Sequence, residues 1–472
     1  MPIAAPLASR WSRVATAWLP FADAASAELP LPRLLRLSLF QVSVGMTAVL
    51  LSGTLNRVMI VELGVPAWLV ALMIALPLVF APLRALIGHR SDHHRSVLGW
   101  RRVPYIWIGT LLQFGGLALL PFALLLMSRP DVAAAGTVAA LIAFLMTGAG
   151  LHTAQTAGLA LATDLAPEDA RPRAVALLYV MLLVGMVVSA FAIGAVLKDF
   201  TPTRLIQVVQ GVGMLTFVFN LIALWKQEPR RAAAIVLAEP RTSFRDSWAS
   251  FTADASTRRL LVVVGLGAAA FSMQDVLLEP YGGEVLGISV GGTTELTGLW
   301  ALGNLLGFAY AARQLGAGGD PHRIAGLGGV VGVFAFVAVL FAAPLAAPAL
   351  LYLGAALIGL GAGLFMVGTL TAAMALSRGG KSGIALGAWG AVQATAAGLA
   401  IAIGGIARDL IGGAAVSGEL GTTLAYRATG YGSVYVFEIV LLFATLIALG
   451  PLVGRERDAS TPARFGLSQF PT

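Results

Sequence analysis

The 472 residues include five histidines, and four of them stand in charged or loop-like stretches: His89, His93, His94 and His322. His152 lies instead inside a long apolar run, GAGLHTAQTAGLALATD, with Gln155 three residues on and so on the same helical face. A neutral imidazole in that setting suits either of two roles. It hydrogen-bonds a neighbouring helix, as polar groups in apolar helices commonly do, or it gives a ring nitrogen to a chelated metal. A second group has acidic chemistry. Asp275 and Glu279 are one helical turn apart in SMQDVLLEPYGGE, beside Gln274, and Asn56-Arg57 sits at a comparable place in an earlier apolar run. A charge at the centre of a membrane helix costs about 2.5–3.5 kcal/mol on insertion scales, so such groups pair or face water. The expectation is an Arg57–Asp275 or Arg57–Glu279 contact, serving as a gate or as a static clamp. Glu438, Asn304 and Gln393 are further polar residues in apolar runs and candidates for lining a cavity. No P-loop, dinucleotide fingerprint or nucleophile arrangement occurs, so no catalytic residue is assigned. The absence of cysteine excludes thiolate catalysis, thiolate metal sites and disulfides.

The elements that position these residues follow from composition. Hydrophobic residues make up 58% of the chain and charged residues 11%, against roughly 25% charged in a soluble domain. Apolar runs of helix-spanning length recur without strand-like alternation, which predicts an all-α polytopic membrane protein. Twelve spans are expected, at about 36–62, 67–87, 103–127, 132–160, 174–197, 205–225, 260–280, 295–315, 324–347, 349–376, 384–407 and 433–454. With both termini cytoplasmic, 25 of the 31 basic residues fall on the inner side, as the positive-inside rule requires. The net charge of +8 therefore marks orientation and lipid contact, not nucleic acid. The expected organisation is a cytoplasmic segment 1–33, a six-helix bundle 34–225, a central loop 226–259, a second bundle 260–454 and a tail 455–472. Residues 1–33 lack the apolar core of a signal peptide. Two aromatic stripes, Trp11-Trp18 and Phe244-Trp248-Phe251, fit helices lying in the headgroup layer or packed on the bundle.

Internal repeats set the symmetry. FAPLRALIGHRSDHHR (80–95) and FAYAARQLGAGGDPHR (308–323) align without a gap, pairing Gly88 with Gly316 and Asp92 with Asp320. These loop positions belong to the scaffold. GAGLHTAQT (148–156) matches GAGLFMVGT (361–369), which sets His152 against Phe365 and Gln155 against Gly368. Spans 2, 4 and 5 map onto 8, 10 and 11 in order and orientation. Two parallel six-helix repeats result, the arrangement of the major facilitator superfamily.

Longer motifs narrow the family. LFQVSVGMTAVLLSGTLNRVMIVELGVP (39–66), LRALIGHRSDHHRSVLGWRRVPYIW (83–107) and HTAQTAGLALATDLAPEDARPRAVALLYVMLL (152–183) are joined by SMQDVLLEPYGGEVLGIS (272–289) and LGAWGAVQATAAG (386–398). Together they resemble the bacteriochlorophyll-delivery branch of that superfamily, the PucC/LhaA type of antenna assembly factor of purple phototrophic bacteria. The N-terminal WLPFADAASAELPLPRLLRLSLFQ leans toward the core-antenna, LhaA-like subgroup. The resemblance implies a non-enzymatic protein of the intracytoplasmic photosynthetic membrane that binds bacteriochlorophyll transiently and hands it to light-harvesting antenna polypeptides. Pigment-synthesis enzymes and the membrane insertion machinery are further implied partners. In such a family His152, with Gln155, becomes a candidate axial ligand to the chlorin magnesium. Two other functions stay open on the residues alone: an alternating-access solute transporter in which Asp275, Glu279 or Glu438 titrates, and a pigment-free assembly scaffold.

Overall fold

The structure is a computed structural model that describes residues 29–79, 100, 102–167, 170–228, 252–375 and 382–454. Among the described residues there is helix and no strand. Twelve segments follow in chain order. The first half contains α1 (Leu31–Glu62), α2 (Ala67–Val79), α3 (Val103–Met127), α4 (Ala133–Leu165), α5 (Arg171–Val196) and α6 (Pro202–Leu224). The second contains α7 (Ala255–Glu284), α8 (Val290–Gly316), α9 (Pro321–Ala342), α10 (Pro348–Ala375), α11 (Ser382–Val416) and α12 (Ala428–Leu449). Among the described residues, ten helices are long and apolar enough to cross a membrane. Of the other two, α2 is a shorter apolar helix described only as far as Val79. Helix α8 is long, but Thr293, Thr294, Glu295, Thr297 and Asn304 lower its hydropathy. The outer surface carries exposed Phe334, Val440 and Ile447, the last 77% exposed, as suits helices solvated by lipid. The protein is a multi-pass membrane protein. Gly88, Asp92 and both aromatic stripes lie outside the described residues.

Small residues bring the helices together. A Cβ on Gly109 of α3 would stand 2.6 Å from the Ala154 backbone nitrogen of α4, so these two backbones touch. The halves meet along two seams, α2 with α11 and α5 with α8. Small residues line both seams toward the end expected to face outward. There, Gly405 of α11 lies on Ala71 of α2, and Gly298 of α8 lies on Ala190 of α5.

Packing corrects the repeat register in α4 and α10. Gly148 rests on Pro77 of α2, but its sequence match Gly361 rests on Gly328 of α9 rather than on α8. A shift of two residues restores equivalent neighbours. Gly148 on α2 then pairs with Gly359 on α8, and Gly150 on α3 pairs with Gly361 on α9. His152 therefore stands opposite Gly363 and not Phe365, and Gln155 stands opposite Met366 and not Gly368. The segment GLGAGLF has glycine at three alternate positions, so identity alone does not choose among registers.

Candidate functional site: a helix break between the halves

The polar centre of the molecule is built on a flaw in α7. Its α-helix ends at Ser272, tightens to a 3-10 turn over Met273–Val276, and resumes over Leu278–Glu284. Pro280 accounts for one side of the break, because it has no N–H to offer the Val276 carbonyl one turn back. Asn56 of α1 supplies the missing donor, its Nδ2 lying 3.3 Å from that oxygen. On the other side, the Gln274 N–H donates to Glu438 Oε1 of α12 at 2.7 Å. The facing part of α1 is widened into π-helical turns over Val49–Leu55 and Val58–Glu62. Such turns concentrate at functional sites.

Between the distorted helices lies a cavity of about 110 Å³ whose wall includes Ser52, Met186, Gln274, Asp275, Glu279 and Trp300. Glu279 spans the halves. Its Oε1 accepts from Thr297 Oγ1 at 2.7 Å and its Oε2 from Asn56 Nδ2 at 3.2 Å. Asp275 Oδ1 accepts from Gln274 Nε2 at 2.6 Å.

The expected Arg57 pairing with Asp275 or Glu279 is not formed. Arg57 is paired with Glu62 of its own helix and donates to the Ile288 carbonyl at 3.4 Å. Its guanidinium covers Gly283, where a Cβ would be 2.6 Å from Nε. Consecutive helical residues point about 100° apart, so Asn56 takes the α7-facing direction and Arg57 the rim. A polar tie between the halves exists, but the neighbouring residue makes it. Farther out, Asp409 of α11 accepts the Trp68 N–H at 2.8 Å, capping the start of α2 from the opposite half. Arg408 holds Glu284 and Asp409 and lies over the Tyr431 ring, 4.6 Å from its centroid.

The other candidates separate. Glu438 is fully buried behind the break and Asn304 is buried beside Gly363, so neither is in the cavity wall, nor is half-buried Gln393. Sequence inspection passed over Ser52, Met186 and Trp300. The signal that reaches them is Pro280 after the acidic pair, which announces a break and hence a packing defect opposite it. His152 is far from this centre in packing terms. It is half-buried on α4, between the α2-facing position Gly148 and the exposed stripe Val138, Ile142, Leu145 and Ala149. Gln155, one turn on, is buried with Nε2 3.5 Å from Gln41 Oε1 of α1. The pair thus divides: Gln155 faces the bundle interior and His152 its edge.

Of the repeated loop residues, Gly316 ends α8 and Asp320 caps α9. The Asp320 carboxylate accepts from the His322 N–H at 2.8 Å and from the Gly454 N–H at 3.0 Å. Burial alone would raise its pKa. The hydrogen bonds from His322 and Gly454 outweigh that and hold it down at about 2. Its role is architectural: it fastens the chain beyond α12 to the start of α9.

Comparison with known proteins adds the family. A family model described as "PUCC protein" matches residues 54–457. A Rhodobacter capsulatus protein named "Uncharacterized protein in puhA-bchM intergenic region" is 57% identical over 97% of this chain and 98% of its own length. "Protein PucC" of Rhodovulum sulfidophilum is 56% identical over 85% of this chain and 90% of its own. Among solved structures, a bacterial homolog to the human lysosomal transporter Spinster, inward-facing and unoccupied, superposes with a TM-score of 0.67. It is 16% identical over 91% of this chain and 98% of that one, which shows the shared facilitator-type fold.

Proposed function

Because the chain belongs to the PUCC protein family, we propose that it is a non-enzymatic assembly factor for photosynthetic antenna complexes. It binds bacteriochlorophyll transiently and passes it to antenna polypeptides, with the core antenna as the favoured client. The observation that carries this assignment is His152: an imidazole part-way along a membrane helix, half-buried at the edge of an exposed apolar stripe. A chlorin lying against that edge would keep its ring in apolar surroundings, and the His152 imidazole would hold its metal. The central cavity argues against the alternative placement. Its volume of about 110 Å³ is well below the ~300–1,000 Å³ of small-molecule sites, and a chlorin needs a large one.

The test is a bacteriochlorophyll titration of protein purified in mild detergent. Wild-type protein is expected to bind with a shifted absorption band, and His152→Ala to bind at least tenfold more weakly, equivalent to ~1.4 kcal/mol. Unchanged affinity and spectra would remove His152 from the site. A solute transporter is the second assignment, favoured by a cavity between the halves whose wall holds Ser52, Gln274, Asp275 and Glu279. Solute uptake by vesicles containing the protein, with no copurifying pigment, would select it.

A further inference from the structure

Three carboxyl groups surround the α7 break with no cation among them. Among the described residues, Asp275, Glu279 and Glu438 have no basic side chain within ion-pair distance. Arg57 is taken by Glu62, and Arg408 by Glu284 and Asp409. The ionisable tyrosines beside these acids are Tyr281, Tyr431 and Tyr435. Arg33 and Arg36 of α1 and Tyr310 and Arg313 of α8 stand toward the far ends of their helices, and Tyr352 of α10 bonds the Gly292 carbonyl. Described α2 has none, Glu295 of α8 faces Gly194 of α5, and Arg258 and Arg259 lie at the far end of α7. The acids act on one another, Glu279 on Asp275 and Asp275 on Glu438.

A second observation comes from α12. Glu438 is 0% exposed, and while Oε1 takes the Gln274 N–H, Oε2 has no partner. Tyr435, three residues earlier on the same face, is also 0% exposed and its hydroxyl has no partner. That hydroxyl lies within electrostatic reach of both Glu438 and Glu279. A buried carboxyl oxygen and a buried hydroxyl, both unpartnered, leave room for one more hydrogen.

We propose that Glu438, backed by Asp275 and Glu279, is a proton-binding site within the membrane, and that its occupancy is coupled to the contact between the two halves. The break positions it: the 3-10 turn presents the Gln274 N–H to one oxygen of Glu438 and leaves the other for the proton. The coupling runs through Glu279, whose two oxygens hold Asn56 of the first half and Thr297 of the second. An ionised Glu279 accepts from both. A further proton taken up as pH falls and held on Glu279 Oε2 forms an O–H bond there, removes the carboxylate's charge, and replaces the acceptor of Asn56 Nδ2 with a donor that Asn56 does not match. The tie between the halves then weakens. None of this depends on pigment binding.

Infrared difference spectroscopy of the protein in lipid, with pH stepped, tests the site. The expected result is a protonated-carboxyl band that titrates, is missing in Glu438→Gln, and shifts in Asp275→Asn and Glu279→Gln. Because the chain has no cysteine, spin labels at Asp131→Cys and Leu345→Cys report the separation of the halves without background. That distance should follow the same titration and stop doing so in Glu279→Gln. Absence of the band, or a band untouched by all three substitutions, overturns the site. A titrating band with a constant distance overturns the coupling. Loss of the band on adding sodium at fixed pH assigns the site to a metal cation and overturns the proton. Should Glu438→Gln fail to fold, the response of the band to Asp275→Asn decides.

Discussion

Asn56 and Arg57 are adjacent, yet only Asn56 reaches Glu279, and a stability cycle separates them. Asn56→Ala and Glu279→Gln should couple by roughly 0.5–1.7 kcal/mol, the range of polar contacts within membrane proteins. Arg57→Ala should show no coupling with Asp275→Ala and a measurable one with Glu62→Ala, read from thermal unfolding in detergent. Asp320 offers a second residue-level outcome. Its pKa falls from 3.8 in the free chain to about 2 in the fold. The stabilisation it gives is therefore complete above pH 3.8 and is lost as pH falls through about 2. Asp320→Asn should flatten that acid limb while leaving neutral stability lower, since the cap to α9 and the hold on Gly454 weaken. Polar residue types in apolar runs were enough to single out Glu279, Asp275 and Glu438. Which of them touch was not legible, because a difference of one residue turns a side chain through about 100°.

At the scale of elements, the break in α7 and the wide turns of α1 form one unit. Pro280 frees the Val276 carbonyl, and the opposite half answers it with Asn56. Pro280→Ala restores the donor within α7, so it should remove the effect of Asn56→Ala on stability by at least half, again measurable by thermal unfolding. The seams are the second feature. A Cβ at Gly405 would lie 2.5 Å from Ala71 Cβ. Gly405→Leu should therefore wedge α11 from α2, costing about 1–3 kcal/mol where the helices stay in place. Where they part instead, Ser52→Cys in the cavity wall should react severalfold faster with a water-soluble maleimide than in the parent. Helix positions were legible from apolar runs, and among the described residues each expected run coincides largely with a helix. Pro280 marks the break locally, but the partners that complete it and the π turns opposite were not legible, since the hydrogen bonds there join segments more than 200 residues apart.

For the whole molecule, composition and the long apolar runs determined a polytopic helical protein, and the repeated segments determined two similar halves. Those properties depend on burial and chain length, which each stretch of sequence carries by itself. The family, too, was legible, because its motifs are long and continuous. Tertiary structure decided which register of the repeat is real, which half supplies the partner of each buried carboxyl, and where a cavity remains. It also moved His152 out of a matched pair with Phe365 and onto the edge of α4, apart from the acidic centre. Identical letters such as Gly148 and Gly361 meet different helices because close packing is settled by the neighbouring backbone, and a local sequence does not contain its neighbour.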